Sequence, residues 1–469
     1  MKNAILLTCA LIAPAFAVAA EQTDSCCDKN SNSKLHFMKP TAEQTEILQR
    51  TRPYEPRRAS APKFVIGNPD NNNFMMTLGG QLNVVVGGDI GNDLYKQPGA
   101  GISFVTSQIP VPAVQGKKGD FYINPINGFV DLQLVGLGNT KNEITGYLKF
   151  GTNGITTSLA LQRAYVSWRG ITAGMKLTLF QDDYACQPPT IDPEGPSGCV
   201  STVSYELSYK SKSYNGFRFA AGLDMPTYYT SNGYYRGPDF LDPNSKNYKY
   251  DESAYKKYTD KQVSLTDYDQ NIPDVPLWAE YSFSQWNRIR VSGIVRNFLY
   301  KDLLTNKTRD VVGWGVMLSG NVQPASKWIL YYQVAYGAGI GNYIQDIAGH
   351  PYSFIPSEDH LGQMKASPMM GANIGVTFNA TKKLQFNAMA SEARIWGVGA
   401  YANPSVSPDA NVTSELEDYK HAEYVAVNCF YNLNSFLQLG VEYLYGRRTT
   451  WNMGGANDSR IQAQLSFTF

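Results

Sequence analysis

Long apolar runs are the first thing this 469-residue chain lacks. Beyond residue 20, nothing approaches the roughly 18 apolar residues that a membrane helix needs, and Val311–Leu318 is among the longest stretches. Helical membrane proteins are thereby excluded. Charge of one sign is lacking too: 41 Lys and Arg stand against 40 Asp and Glu. Without a clustered basic excess, nucleic acid is not an expected partner. Histidine is scarce, with four in all. His36 lies in an N-terminal tail, and His350, His360 and His421 lie in loops or at a strand start. None sits in a pattern that would activate a nucleophile, which argues against a barrel lipase or protease.

What is present begins with an export signal. Lys2 precedes an apolar run from Ala4 to Ile12 and small residues at Ala17, Ala19 and Ala20. The run is too short to span a bilayer, so cleavage near Ala20 is expected, with the mature chain starting near Glu21. Cys9 lies too near the N-terminus to be a lipidation site, and Thr8 precedes it. The 31 Tyr, 21 Phe and 41 Gly suit strands that place aromatics at membrane interfaces and small residues where walls curve.

Alternation decides the architecture. In the last strand Ile461, Ala463, Leu465, Phe467 and Phe469 interleave with Arg460, Gln462, Gln464, Ser466 and Thr468. An apolar face toward lipid and a polar face toward a lumen is the pattern of a transmembrane β-barrel. It recurs at 171–179 and 437–445. Candidate strands fall at 73–90, 121–135, 143–150, 161–168, 171–182, 201–210, 217–225, 275–283, 288–299, 311–320, 327–337, 370–378, 383–394, 421–431, 436–448 and 458–469. Short connections, such as Arg169-Gly170, alternate with long ones at 91–120, 226–274, 338–369 and 395–420. A soluble β-sandwich or adhesin has no reason for that asymmetry. The expectation is an all-β, antiparallel outer-membrane barrel of sixteen strands, with short periplasmic turns, long extracellular loops and both ends in the periplasm.

The chain then divides into a signal at 1–20, a periplasmic segment at 21–63 and a barrel at 64–469. In the middle segment, Thr41-Ala42-Glu43-Gln44 reads as a capping box opening a short helix through Arg50. The tract from Arg52 to Arg58 reads as an extended linker. A disordered tail is the favoured reading of the segment, and an inter-subunit clasp the alternative.

A barrel that conducts does no covalent chemistry, so its sites are lumen-facing charges and the narrowest loop. Strand phase points Arg163, Tyr165, Lys149, Lys176, Arg218, Arg288, Arg290, Arg296, Arg448 and Arg460 inward. It does the same for Asp131, Glu206, Asp224, Glu280 and Glu442. The basic members are somewhat ahead, which leans weakly to anions, and the arginine trio on one strand is the strongest cluster. The plainer reading of each is a lumen charge that pairs with a neighbour and selects nothing. The loop from Asp182 to Val200 holds four prolines and two glycines and is too stiff for an ordinary exterior loop. Asp182, Asp183, Asp192 and Glu194 lie on it as candidate constriction residues; their spacing fits no standard calcium loop, so no metal or other cofactor is expected. Cys186 and Cys199 can close a disulfide where the compartment is oxidising, while Cys429 sits mid-strand as an unpaired barrel residue.

At this loop the chain resembles the DcaP-like porins. The match rests on Gln162-Arg163-Ala164-Tyr165-Val166, on Gly174 to Phe180, on Pro188-Pro189-Thr190-Ile191-Asp192 with Gly195-Pro196-Ser197-Gly198, and on Ser107-Gln108-Ile109-Pro110-Val111. The resemblance implies a homotrimer, a constriction shaped by the folded-in loop, and passage of small, often anionic, organic solutes. The chain departs from the family in its brief periplasmic segment and its loop cysteines. The expected function is a porin in contact with outer-membrane lipid and lipopolysaccharide. A surface receptor or adhesin is the alternative, given the long 226–274 loop. An energy-driven transporter is disfavoured, because about forty residues before the barrel are too few for a plug.

Overall fold

The computed structural model describes residues 35–53, 64–92, 94, 101–111, 121–125, 128–152, 159–226, 272–284, 286–301, 307–348, 353–356, 364–397, 419–451 and 454–469. The expected signal at 1–20, Cys26, Cys27 and most of the 226–274 and 395–420 loops lie outside these residues.

Sixteen antiparallel staves close into a barrel. They are β1 (Phe74–Asp89), β2 (Phe121–Asn124 and Phe129–Gly136), β3 (Ile144–Gly151), β4 (Ala160–Trp168), β5 (Ile171–Leu177), β6 (Val203–Lys210), β7 (Phe217–Pro226), β8 (Val275–Ser284), β9 (Asn287–Lys301), β10 (Thr308–Ala325), β11 (Trp328–Ala338), β12 (Pro368–Asn379), β13 (Leu384–Ile395), β14 (Tyr419–Asn432), β15 (Leu437–Thr450) and β16 (Gly455–Thr468). Each pairs with the next, and β16 returns to β1 through Arg460↔Asp89 to Thr468↔Gln81. Closure leaves no unpaired edge for hydrocarbon to meet.

The faces follow the alternation. Along β16 Ile461, Leu465 and Phe467 are exposed on the outside, whereas Arg460, Gln462, Gln464 and Ser466 are buried on the inside. The same holds on β10, where Val312, Trp314, Val316 and Leu318 face out. Two strands differ most from the sequence expectation. β10 starts earlier and ends later, at Thr308 and Ala325. β5 stops at Leu177 instead of continuing to 182: the backbone leaves the wall at Thr178, whose N–H reaches Thr202 O at 3.0 Å and closes the neck of the following loop.

Residues 35–53 of the segment before the barrel form a short strand and a helix. Thr41 caps α1 (Ala42–Arg50) through a reciprocal box, Gln44 N–H to Thr41 Oγ1 at 3.2 Å and Thr41 N–H to Gln44 Oε1 at 3.0 Å. Phe64–Gly67 pairs with the periplasmic end of β1, and His36–Phe37 adds to its far edge.

Replacing outward-facing Ile461 with Arg places a charge against lipid, and the barrel should lose up to about 2–4 kcal/mol, depending on its depth in the bilayer. Denaturant unfolding in lipid vesicles measures it; an unchanged midpoint would contradict the assigned outer face.

Candidate functional site: an off-centre conduit beside a folded-in loop

The lumen is not an open tube. Among the described residues, connections at 101–111, 178–202 and 339–348 turn inward. They interlock through Val200↔Ile344 bridging, Ser201 N–H to Tyr343 O at 3.0 Å, Gln345 N–H to Cys199 O at 2.9 Å, Phe104 N–H to Asp192 Oδ1 at 3.0 Å and Ser107 N–H to Asp346 Oδ1 at 2.9 Å. Beneath them the inner wall is apolar. Ile294, Met317, Ala335, Met369 and Ala393 pack on Phe180, Tyr343 and Ile344 in one buried cluster. Leu444, Ala426 and Met389 pack on Phe104 and Ile109 in another. This filling removes apolar area from water as a soluble core does. Strand phase alone does not expose it, because a barrel lumen is expected to be polar; the apolar inward residues of β9–β15 were the signal.

The loop at 178–202 is seated by charge. Asp182 is buried and accepts from Arg288 and from Ser319 Oγ at 2.8 Å, with Arg290 Nε 3.8 Å away. Glu280 of β8 faces the same arginines, at 2.7 Å from Arg288 NH1 and 2.6 Å from Arg290 NH2, and also binds Arg218. Arg290 NH1 donates to Gln181 O at 3.2 Å. Further along, Glu442 accepts the Ile191 and Asp192 N–H groups at 2.9 and 2.8 Å, while Asp192 takes Tyr424 Oη at 2.9 Å. The Cys186–Cys199 disulfide is formed, with Cα atoms 5.9 Å apart. Gly198 lies so close to the wall that a Cβ would run into the backbone of Ala372 and Glu392.

The inward charges therefore fall into two groups. Every one that strand phase points inward is inward, but the arginine trio does not line open water: Arg288 and Arg290 lie under the loop, and Arg296 is sealed on Asp274 at 2.9 Å and Gly339 O at 2.7 Å. Arg460 holds Asp89 at 2.5 Å and Ile102 O at 2.9 Å, and Arg448 holds Ile109 O at 3.2 Å. Glu280 and Glu442 are their acidic counterparts. Lys176 and Glu206 pair on the wall at 3.1 Å, and buried Asp224 accepts from Thr178. The second group lines a cavity beside the loop. This cavity of about 420 Å³ lies between the loop and the wall, lined by β1–β5 and by Gln385, Phe430, Asn432, Gln438 and Gln464 of β13–β16. Lys149 and Arg163 line its wall side, opposite partners in the β3–β4 register, and Asp183 and Glu194 line its loop side. A register shift at Lys149/Phe150 brings Gln162 to the same surface as Arg163. Tyr165 lies beside Tyr147, ring centres 5.7 Å apart, and Tyr147 Oη donates to Asp131 at 3.1 Å. Uncharged amides such as Gln81, Asn83, Gln187 and Gln464 complete much of the lining.

Burial would raise the Asp182 carboxyl, but Arg290 and Arg288 outweigh it and hold it down at about 2. A depressed carboxyl stabilises fully above its unfolded value of roughly 3.9 and loses that contribution as pH falls through the folded one. The clamp should therefore hold from neutral pH to about pH 4, and channel conductance should show no loop-release step there. Asp182→Asn leaves two buried guanidiniums short of a carboxylate, a loss of about 3–5 kcal/mol. Conductance should then rise as the loop loosens; wild-type conductance in a folded D182N barrel would contradict the clamp.

No protein-family model matches this chain, and no curated protein matches it. Among solved structures, the outer membrane channel DcaP of Acinetobacter baumannii superimposes with a TM-score of 0.61 at 13% identity, over 85% of this chain and 98% of that one. The anion-selective porin from Comamonas acidovorans gives 0.47 at 9% identity, over 84% and 100%. Salmonella typhi OmpF, in complex with daunomycin, gives 0.45 at 11% identity, over 85% and 99%. At these identities the likeness is one of fold, and the DcaP fold agrees with the resemblance read from residues 162–180 and the proline-rich loop.

Proposed function

We propose that the chain is an outer-membrane porin, not an enzyme: a water-filled channel for passive diffusion of small polar solutes, with small anions travelling along the Lys149 and Arg163 side. The observation that carries this is the polar conduit left between a seated loop and the β1–β4 wall, inside a closed barrel whose outer face is apolar. Basic groups on the wall and carboxylates on the loop set up a field across the path, which orders charged and dipolar solutes without a large net preference. Charges withdrawn into loop clamps add little to it.

In planar bilayers the purified protein should give stepwise ion conductance; a silent barrel overturns the porin reading. Lys149→Gln with Arg163→Gln should move the reversal potential toward cations, and Asp183→Asn with Glu194→Gln should move it toward anions. Equal reversal potentials in all three proteins would clear these groups of a role.

A homotrimer is part of the proposal, supported by wall height. β3, β5 and β6 have 8, 7 and 8 residues, short of the roughly 9–11 that a tilted strand needs to cross a bilayer, whereas β9 and β10 have 15 and 18. A low wall is covered best by another copy, not by lipid. Ala173 is exposed on the outside of β5. Ala173→Arg should reduce the detergent-solubilised mass to that of a monomer, while Val316→Arg on the tall side should not. A monomeric wild type contradicts the trimer.

A further inference from the structure

The periplasmic end of the barrel carries an element that no strand supplies. Helix α1 lies against the inner face of the periplasmic rim. Ile47 and Leu48 pack on Met75 of β1 and Val135 of β2, both inward-facing and fully buried. Glu43 at the start of the helix binds Asn72 and Asn139 of the rim turns at 3.1 and 2.8 Å, and Gln44 Nε2 donates to Asn68 O and Asn71 O at 3.0 and 3.1 Å. Arg50 forms an ion pair with Glu143. At its other end the segment climbs the wall: Gln133 Nε2 donates to Leu48 O at 2.9 Å and to Thr51 Oγ1 at 2.8 Å, and Arg52 NH2 lies 3.6 Å from Asp131 Oδ2. Asp131 is four residues further into the barrel than Val135, about 13 Å at the usual strand rise.

That depth matters because of what stands beside Asp131. The register places Asp131 opposite Lys149 and Lys149 opposite Arg163, and the last two line the conduit. Phe129, another lining residue, is on the same strand as Asp131. Arg52 therefore joins a row of charges whose other basic members, Lys149 and Arg163, line the cavity, and it arrives there on a segment that precedes the barrel in sequence.

We propose that residues Thr41–Arg52 form the periplasmic lip of the conduit, and that Arg52 is a specificity-determining residue for solute passage. Its guanidinium offsets the Asp131 carboxylate, so that the wall facing solutes keeps the positive balance of Lys149 and Arg163. Without Arg52, Asp131 acts on Lys149 alone and the wall turns less positive. The docked helix holds Arg52 at that depth and narrows the exit. The proposal rests on the porin reading above.

The test is single-channel recording on the full-length protein in planar bilayers, with Arg52→Gln and with an undocked variant, Ile47→Ser plus Leu48→Ser, whose helix loses its apolar anchor. Barrel folding of each is checked by far-ultraviolet circular dichroism. Arg52→Gln should move the reversal potential toward cations. The undocked variant should conduct more than wild type, and adding Arg52→Gln to it should change the reversal potential little, since coupled groups are not additive. An Arg52→Gln channel indistinguishable from wild type overturns the assignment. So does a shift that persists undiminished in the undocked background, or undocking that leaves conductance unchanged. A wild-type barrel that does not conduct sinks the porin reading instead, which separates the two failures.

Discussion

The meeting of Asp182 and Glu280 with Arg288 and Arg290 is the interaction on which the lumen's shape depends. Four charges are withdrawn from water there, which is tolerable only because each is matched by an opposite charge and by further donors or acceptors such as Ser319, Asn321 and Gln181 O. With two carboxylates against two guanidiniums, and Arg218 joining from the wall, the cluster fixes where the loop leaves β5 and which side of the barrel it covers. The apolar packing of Phe180 and Tyr343 and the interlock with residues 101–111 follow from that placement.

Filling part of the lumen leaves a polar cavity beside the infolded loop. A barrel of sixteen strands is wide enough to leave an aqueous channel. Here the infolded loops pack on the inner face of β9–β15, and the cavity left beside them is lined from β1–β5 and from Gln385, Phe430, Asn432, Gln438 and Gln464 of β13–β16. In the proposed channel, selectivity rests on the few charges that border this cavity, not on the total inside the barrel. Low strands on that same side tie the conduit to the surface proposed for subunit contact. In the proposed channel the docked helix forms the periplasmic lip, a part supplied by a segment that precedes the barrel strands.

Much of this was legible from residue order. All sixteen strands, the inward phase of each candidate charge, the capping box at Thr41 and the Cys186–Cys199 pairing follow from period-two alternation, turn chemistry and loop stiffness. The role of the inward charges was not legible. Arg288 and Arg163 share the same phase signal, and only the long-range contact with Asp182, separated by more than a hundred residues, decides that one is a clamp and the other lines water. The apolar lumen of β9–β15 was hidden for a related reason: Met317 and Ile294 read as unremarkable strand residues until a loop covers them. The docking of Ile47 and Leu48 was missed because one short amphipathic turn does not say which surface it meets.

Arginine-specific labelling with phenylglyoxal of the barrel reconstituted in lipid vesicles, with sites located by mass spectrometry, tests the central claim most directly. The account predicts modification of Arg163 and protection of Arg288, Arg290, Arg296 and Arg460. Labelling of Arg288 and Arg290 at the rate of Arg163 would mean that water reaches beneath the loop, and that the clamped, off-centre channel described here is wrong.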